Sequence, residues 1–373
     1  MTHAATLPET GRSRPSPLRS GHPLARLAGG LRVRMFGSAR DALLSLAVLA
    51  ALCAIAWAII PWAIVNATWT GESRDACNGG GACWAFVVSK WPQFIYGFYP
   101  PAERWRPDIC FALLVVGLVW LMVPRIPGKA YAVAFIALVL PLATFLLLRG
   151  GFAGLPEVPS DQWGGFLLTM ILAVSGITFS LPFGVLFALG RQSRLPLIRW
   201  FCIGFIEMCR GVPFLTVLFM AIVMLPFFLP PGTKPDPLAL AVAGIIFYEA
   251  AYMAEVVRGG LQALPKGQYE AAMAIGFGYW RTMLHIILPQ AVRKVVPGVV
   301  NTTISLLKNT TLVMVVGLFD LLNIVSAGAS DPLWAGSQAE GYFIVGLVFW
   351  LMSFGLSCYS RAIEAGFARA ERT

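Results

Sequence analysis

Eight long, unbroken apolar runs leave this chain few ways to fold: about 42–64, 108–124, 130–148, 165–190, 201–229, 238–257, 295–324 and 341–363. A helix rises 1.5 Å per residue, so a hydrocarbon core of ~30 Å takes about 20 apolar residues. The runs therefore predict an all-α integral membrane protein with about eight transmembrane helices. Composition supports this, because hydrophobic residues make up 58% of the 373 and charged residues only 12%, about half the soluble norm. An outer-membrane barrel would show alternating segments of about ten residues instead.

The net charge of +10 points to topology rather than to nucleic acid, since the basic residues lie mostly in tails and short connections instead of on one patch. Arg12, Arg14, Arg19, Arg26, Arg32 and Arg34 sit among Pro, Ser and Gly, which predicts a disordered cytoplasmic tail over 1–41. With that tail inside, twenty of the 28 Lys and Arg residues fall in inner segments and six in outer ones. Both termini are then cytoplasmic by the positive-inside rule. The 65–107 connection lies outside, and its Trp69, Trp84, Trp91, Tyr96, Tyr99 and Trp105 suit an interfacial aromatic belt.

Cys77 and Cys83 bracket Asn-Gly-Gly-Gly-Ala in that connection. They suit a small disulfide ring if the loop faces an oxidising compartment, with two lone thiols as the alternative. The other five cysteines fall in apolar runs, and His3, His22 and His285 are scattered, so no metal site is expected. The only Gly-Lys pair, Gly128-Lys129, precedes Ala, so the chain lacks a phosphate-binding loop and ATP must be hydrolysed elsewhere.

The chain divides near residue 160. Spans one to three, within 42–159, carry few ionisable groups, while later runs contain Pro182, Glu207, Arg210, Pro213, Glu249, Glu255 and Lys308. Glu207 and Arg210 are three apart, as are Glu255 and Arg258, which predicts two local salt bridges near the inner boundary. Lys308 heads a Lys308-Asn309-Thr310-Thr311 cluster that either snorkels to an interface or lines an aqueous path. Pro182, Pro213 and Pro226 can kink their spans. Ala239, Ala241, Ala243 and Gly244 invite close packing.

In the inner connection 258–294, Tyr269, Ala272 and Met273 share one helical face, Pro265 can open a helix and Gly276 can close it. A short amphipathic helix beneath the membrane is expected. Resting on lipid is its blander role, but Ala271, Ala272 and Ala274 offer little area for insertion and let another protein approach.

Glu270-Ala271-Ala272, Gly276 and Ile287-Leu288-Pro289 resemble the EAA loop of ABC importer permeases, whose coupling helix docks into an ATPase subunit. Glu207 to Pro213, Tyr252 to Gly260 and Lys308 to Leu312 are similar to stretches of the polar amino acid subgroup. The resemblance covers roughly 160–373, and the extra spans resemble a membrane subunit of the general L-amino acid importers of proteobacteria.

The resemblance implies a five-helix type I permease core over 160–373, preceded by three accessory helices with a periplasmic loop over 65–107. It implies a multi-pass permease of the bacterial inner membrane, not an enzyme, moving L-amino acids by alternating access. Its partners would be ATPase subunits holding ATP and Mg, a second homologous permease, a periplasmic amino acid binding protein and membrane lipid. Tyr269, Glu270, Ala271, Ala272, Met273 and Gly276 would couple it to the ATPase. Asn309-Thr310 stands where many relatives have Asp-Thr, a departure that argues against a role needing a negative charge there. A self-contained secondary carrier or channel is the alternative.

Overall fold

Prolines and glycines decide where the helices of this chain bend and where they touch. The computed structural model describes Met35 and residues 37–77, 79–123 and 125–370. The expected tail lies outside the described residues up to 34, and its last residues already begin a helix, where the Ser38 hydroxyl accepts from the Asp41 N–H.

Seven helices among the described residues are long and apolar enough to cross a membrane. We label the elements in chain order: α1 (Ala39–Val65), α2 (Trp84–Tyr96), α3 (Pro101–Met122), α4 (Lys129–Arg149), α5 (Gly165–Arg191), α6 (Pro196–Gly211), α7 (Phe214–Phe228), α8 (Pro237–Gln262), α9 (Lys266–Ala274), α10 (Tyr279–Val316), α11 (Ile324–Ala329) and α12 (Gln338–Ala370). No strand forms among the described residues. The chain falls into two units, one ending at Ala67, of which α1 is the body, and the other Thr68–Thr373.

The expected fifth span, 201–229, is not straight. α6 and α7 meet at Pro213 with a bend of 110°, and counting them as one span brings the total to eight. Proline lacks an N–H and its ring clashes with the carbonyl four residues back, so the chain turns where Pro213 caps α7. Pro182, by contrast, sits inside an unbroken α5.

Three other prolines widen their helices rather than break them. Phe135–Val139, Met220–Met224 and Met283–Ile287 are π turns, followed by Pro141, Pro226 and Pro289. In each case the residue four before the proline lies inside the wide turn. The added residue relieves the clash that the pyrrolidine ring would cause in an α turn.

The seventh expected span, 295–324, is also displaced. α10 already begins at Tyr279 and ends at Val316, so the second half of the connection assigned to 258–294 is helical.

α5 and α8 form the central seam. A side chain at Gly176 would meet Ile245 and Leu306, and one at Gly184 would meet the backbone at Met253 and Ala254. Small residues let membrane helices approach closely, where packing rather than water drives association. Ala241 and Gly244 are buried within this chain, Gly244 against Ala221 of α7. Around the seam, Leu167, Leu168, Leu172, Leu218, Ile245 and Leu306 make one apolar core, and Ala188, Ile206, Val257, Met283 and Ile287 make a second toward α9.

Candidate functional site

The α9 end is organised by charge. Arg191, the last residue of α5, places Nη1 2.7 Å from Glu255 of α8 and 3.1 Å from Glu207 of α6. Arg258 donates to the same Glu255 from Nε and Nη2, at 2.9 and 2.7 Å, and its Nη1 reaches Gln262 at 2.7 Å. Arg210 lies 3.8 Å from Glu255 and over the ring of Tyr252. Three arginines thus surround two glutamates and tie α5, α6 and α8 together.

This corrects one expectation. Glu255 and Arg258 do pair, but Glu207 turns to Arg191 and Arg210 to Glu255. In the sequence Arg191 is one of the inner-segment basic residues, next to the end of an apolar run. Its partners lie 16 and 64 residues away, beyond any helical spacing rule, so only the packing of α5 against α6 and α8 reveals it.

α9 hangs below this network. Pro265 stands at its N-cap and Gly276, at φ +78°, follows its last turn. The Gly276 N–H bonds Met273 O at 3.0 Å and the Phe277 N–H bonds Ala272 O at 3.0 Å, the paired bonds of a Schellman ending that needs a left-handed residue. Ala272 is buried and Tyr269 packs half-buried against the Met283–Ile287 region. Met273 was expected on the face of Tyr269 and Ala272, yet it is 62% exposed, as are Glu270 and Ala271 at the surface. Ile275, Tyr279 and Trp280 continue this exposed apolar patch. A cleft of about 380 Å³, lined by Arg191, Gln192, Arg258, Leu261, Gln262 and Tyr269, separates the helix from the charges.

The Lys308 cluster does not share one face. Lys308 is exposed in line with Asn301 and Ser305 of α10, whereas Thr310 is fully buried with its hydroxyl donating to Leu307 O at 2.8 Å. Thr311 likewise donates to Lys308 O at 2.8 Å, and Asn309 is half-buried. Glu249, within α8, is 2% exposed, and its side chain makes no hydrogen bond or ion pair with any described residue.

The opposite end is interlocked. Cys77 and Cys83 form a disulfide with Cα atoms 5.5 Å apart. The Cys83 N–H donates to Glu340 at 3.0 Å, Arg74 to Ala335 O at 2.8 Å, and Lys90 pairs with Asp331 at 2.6 Å. Trp84 and Tyr99, expected in an aromatic belt, are instead buried, Tyr99 donating to Leu148 O at 2.8 Å. Tyr96 is half-buried and donates to Asp108, while Trp69, Trp91 and Trp105 remain exposed. Arg106, counted as an outer charge, is 0% exposed, 2.7 Å from Glu103 and donating to Pro156 O at 3.0 Å. Among the described residues no group of His, Cys, Asp and Glu could hold a metal.

A multi-helix membrane body, with a short exposed helix beside a network of arginines and glutamates at one end, fits a membrane component of a transport system. The family described as binding-protein-dependent transport system inner membrane component matches residues 180–369, and the chain belongs to it. It is a transport subunit rather than an enzyme. The inner membrane amino-acid ABC transporter permease protein YhdY of Escherichia coli K12 is 43% identical, covering 94% of this chain and 96% of that protein. The glutamate/glutamine/aspartate/asparagine transport system permease protein BztC of Rhodobacter capsulatus is 36% identical, covering 92% and 94%. Among solved structures, the crystal structure of an amino acid ABC transporter with histidines is 28% identical, covers 54% of this chain and 91% of that one, and gives a TM-score of 0.49.

Proposed function

We propose that this chain is the permease subunit of an ATP-binding cassette importer that moves L-amino acids across the bacterial inner membrane by alternating access. The names of its relatives support that substrate class. One structural observation carries the mechanism: α9 is short, begins after Pro265, closes at Gly276 and is exposed on Glu270, Ala271 and Met273, while Tyr269 and Ala272 fasten it to the body. Docked in an ATPase subunit that holds ATP and Mg, α9 receives the closing motion. The Arg191–Glu207–Glu255–Arg258 network then moves α5, α6 and α8 as one block, so the push reaches the spans instead of being lost in a hinge.

In this reading α9 and both termini are cytoplasmic, and the Cys77–Cys83 loop faces the periplasm, where disulfides persist. The five-helix core runs over 160–373, and the helices within 42–159 are accessory. The family match beginning at residue 180 supports that division. A homologous second permease completes the path, with Lys308 on an exposed polar face at their meeting, and a periplasmic binding protein delivers the amino acid.

Reconstitution tests the reading. Vesicles holding this chain with its copurified partners should take up L-amino acids only with binding protein outside and ATP within. Uptake by this chain alone down an ion gradient would refute it in favour of a self-contained carrier.

A further inference from the structure

A cavity of about 730 Å³ lies between α3 and α4 on one side and α5 and α8 on the other. That volume falls in the range of sites for drug-sized ligands, about 300–1,000 Å³. Its walls are mostly apolar, Phe111, Leu142, Ile171, Val174, Val242 and Ile246 among them, with Thr144 and Ser175 as polar interruptions, and its charged groups gather at one end: Arg149, Glu157 and Asp236, beside Ser160. Measured along α5, the lining from Leu167 to Phe179 spans about 18 Å at 1.5 Å per residue. Half of a ~30 Å hydrocarbon core is about 15 Å, so the cavity is one leaflet deep.

Leu142, a wall residue, is 60% exposed, so the cavity opens at the side of the helical body, where lipid lies. Water has little to bond to along such walls.

The mouth is chemically specific. Trp163 lines the cavity with its apolar ring and is 4% exposed, its Nε1 being buried away from the cavity. Arg149 and Glu157 pair loosely at 3.3 Å, both largely exposed, a contact weak enough to give way to a ligand carrying both charges. Asp236, by contrast, is occupied as the N-cap of α8 and by the Ser160 hydroxyl at 2.6 Å.

We propose that this cavity holds one acyl chain of a zwitterionic glycerophospholipid, with the phosphate at Arg149 and the ammonium at Glu157. The lipid becomes the filler that joins the accessory helices to α5 and α8. This requires only that the chain sits in a bilayer, so it stands apart from the transport reading.

The test uses the full chain in phosphatidylethanolamine vesicles doped with a phospholipid carrying a photoreactive acyl tail. Peptides 137–149 and 238–246 should be labelled several-fold more than the exposed face of α12 at Leu347 and Leu351. Ala243→Trp, which fills the cavity, should cut that labelling several-fold with α12 unchanged. Arg149→Gln, at the surface, should lower several-fold the phosphatidylethanolamine retained in native mass spectrometry. Equal labelling of cavity and α12 peptides, retention indifferent to Arg149→Gln, or cross-links from α1 into 137–149 showing a helix in the space, would each overturn the proposal.

Discussion

The two ends of the helical body are built on opposite principles. At the disulfide end, many polar groups are answered from within the chain, Arg106 by Glu103 and Pro156, the Cys83 amide by Glu340, Lys90 by Asp331 and Arg74 by Ala335, although Trp163 Nε1, Asp320 Oδ2 and Ser337 Oγ are buried there without a hydrogen-bond partner. At the α9 end, charges are gathered just inside the surface while Met273, Ile275, Tyr279 and Trp280 face outward. An end cross-linked in this way is largely closed by folding, although Trp69, Trp91 and Trp105 stay exposed there, and an apolar surface left open beside a charged network is finished by a partner.

If that contrast is right, substitutions at the disulfide end should appear as lost stability, and those at the α9 end as lost coupling. Arg106→Ala should have the largest effect. Removing one partner of a buried ion pair costs about 3–5 kcal/mol, read as a fall in thermal stability of the purified chain. A change within about 0.5 kcal/mol would mean Arg106 is solvated and the closed end is not closed.

Acidity sharpens the same end. Asp320 is fully buried, and burial pushes its carboxyl from 3.8 to about 6 against the bonds it accepts from Asn323. A raised carboxyl favours the folded state while protonated, so its contribution is complete below about pH 4 and is lost as pH rises through about 6. The amount is on the order of 2–3 kcal/mol. Asp331 runs the other way: Lys90 holds its carboxyl below the usual range, so its contribution is lost on acidification below about pH 4. Asp320→Asn should flatten the loss between pH 4 and 6 in a thermal-stability profile, and an unchanged slope would contradict the assignment.

Opening the disulfide comes next. A loop closed over a separation of 6 residues contributes about 2 kcal/mol in the chain-entropy account. Cys77→Ser with Cys83→Ser should therefore lower stability while leaving α9 function intact.

Gly276→Val moves the comparison to the other end. A β-branched residue in a left-handed conformation costs about 1–2 kcal/mol, spent locally on the ending of α9. Membrane insertion should be normal and ATP-driven uptake lost; undiminished uptake would count against a docking role. The smallest stability effect belongs to Glu270→Lys, which is exposed and should stay within about 0.5 kcal/mol. Its readout is weaker copurification of the ATPase.

Much of the α9 end was legible in the sequence because its signals are local. Pro265 and Gly276 bound the helix through backbone geometry, and apolar run length found most spans. The disulfide end was read less well. Trp84, Tyr99 and Arg106 have the composition of an interfacial loop, and nothing nearby in sequence says that Leu148 and Pro156 will answer them. Arg191 escaped for the same reason, and the 110° turn at Pro213 could not be told from the unbroken passage at Pro182, since both are prolines in apolar runs. Tertiary context decides such cases, and composition does not carry it.

The most direct measurement is photo-crosslinking from Met273. A photoreactive amino acid at that position, in native membranes holding the intact assembly, should join this chain to an ATP-hydrolysing subunit, while the same group at Leu347 on α12 should capture only lipid. Capture of a periplasmic protein at Met273, or of lipid alone, would contradict the account.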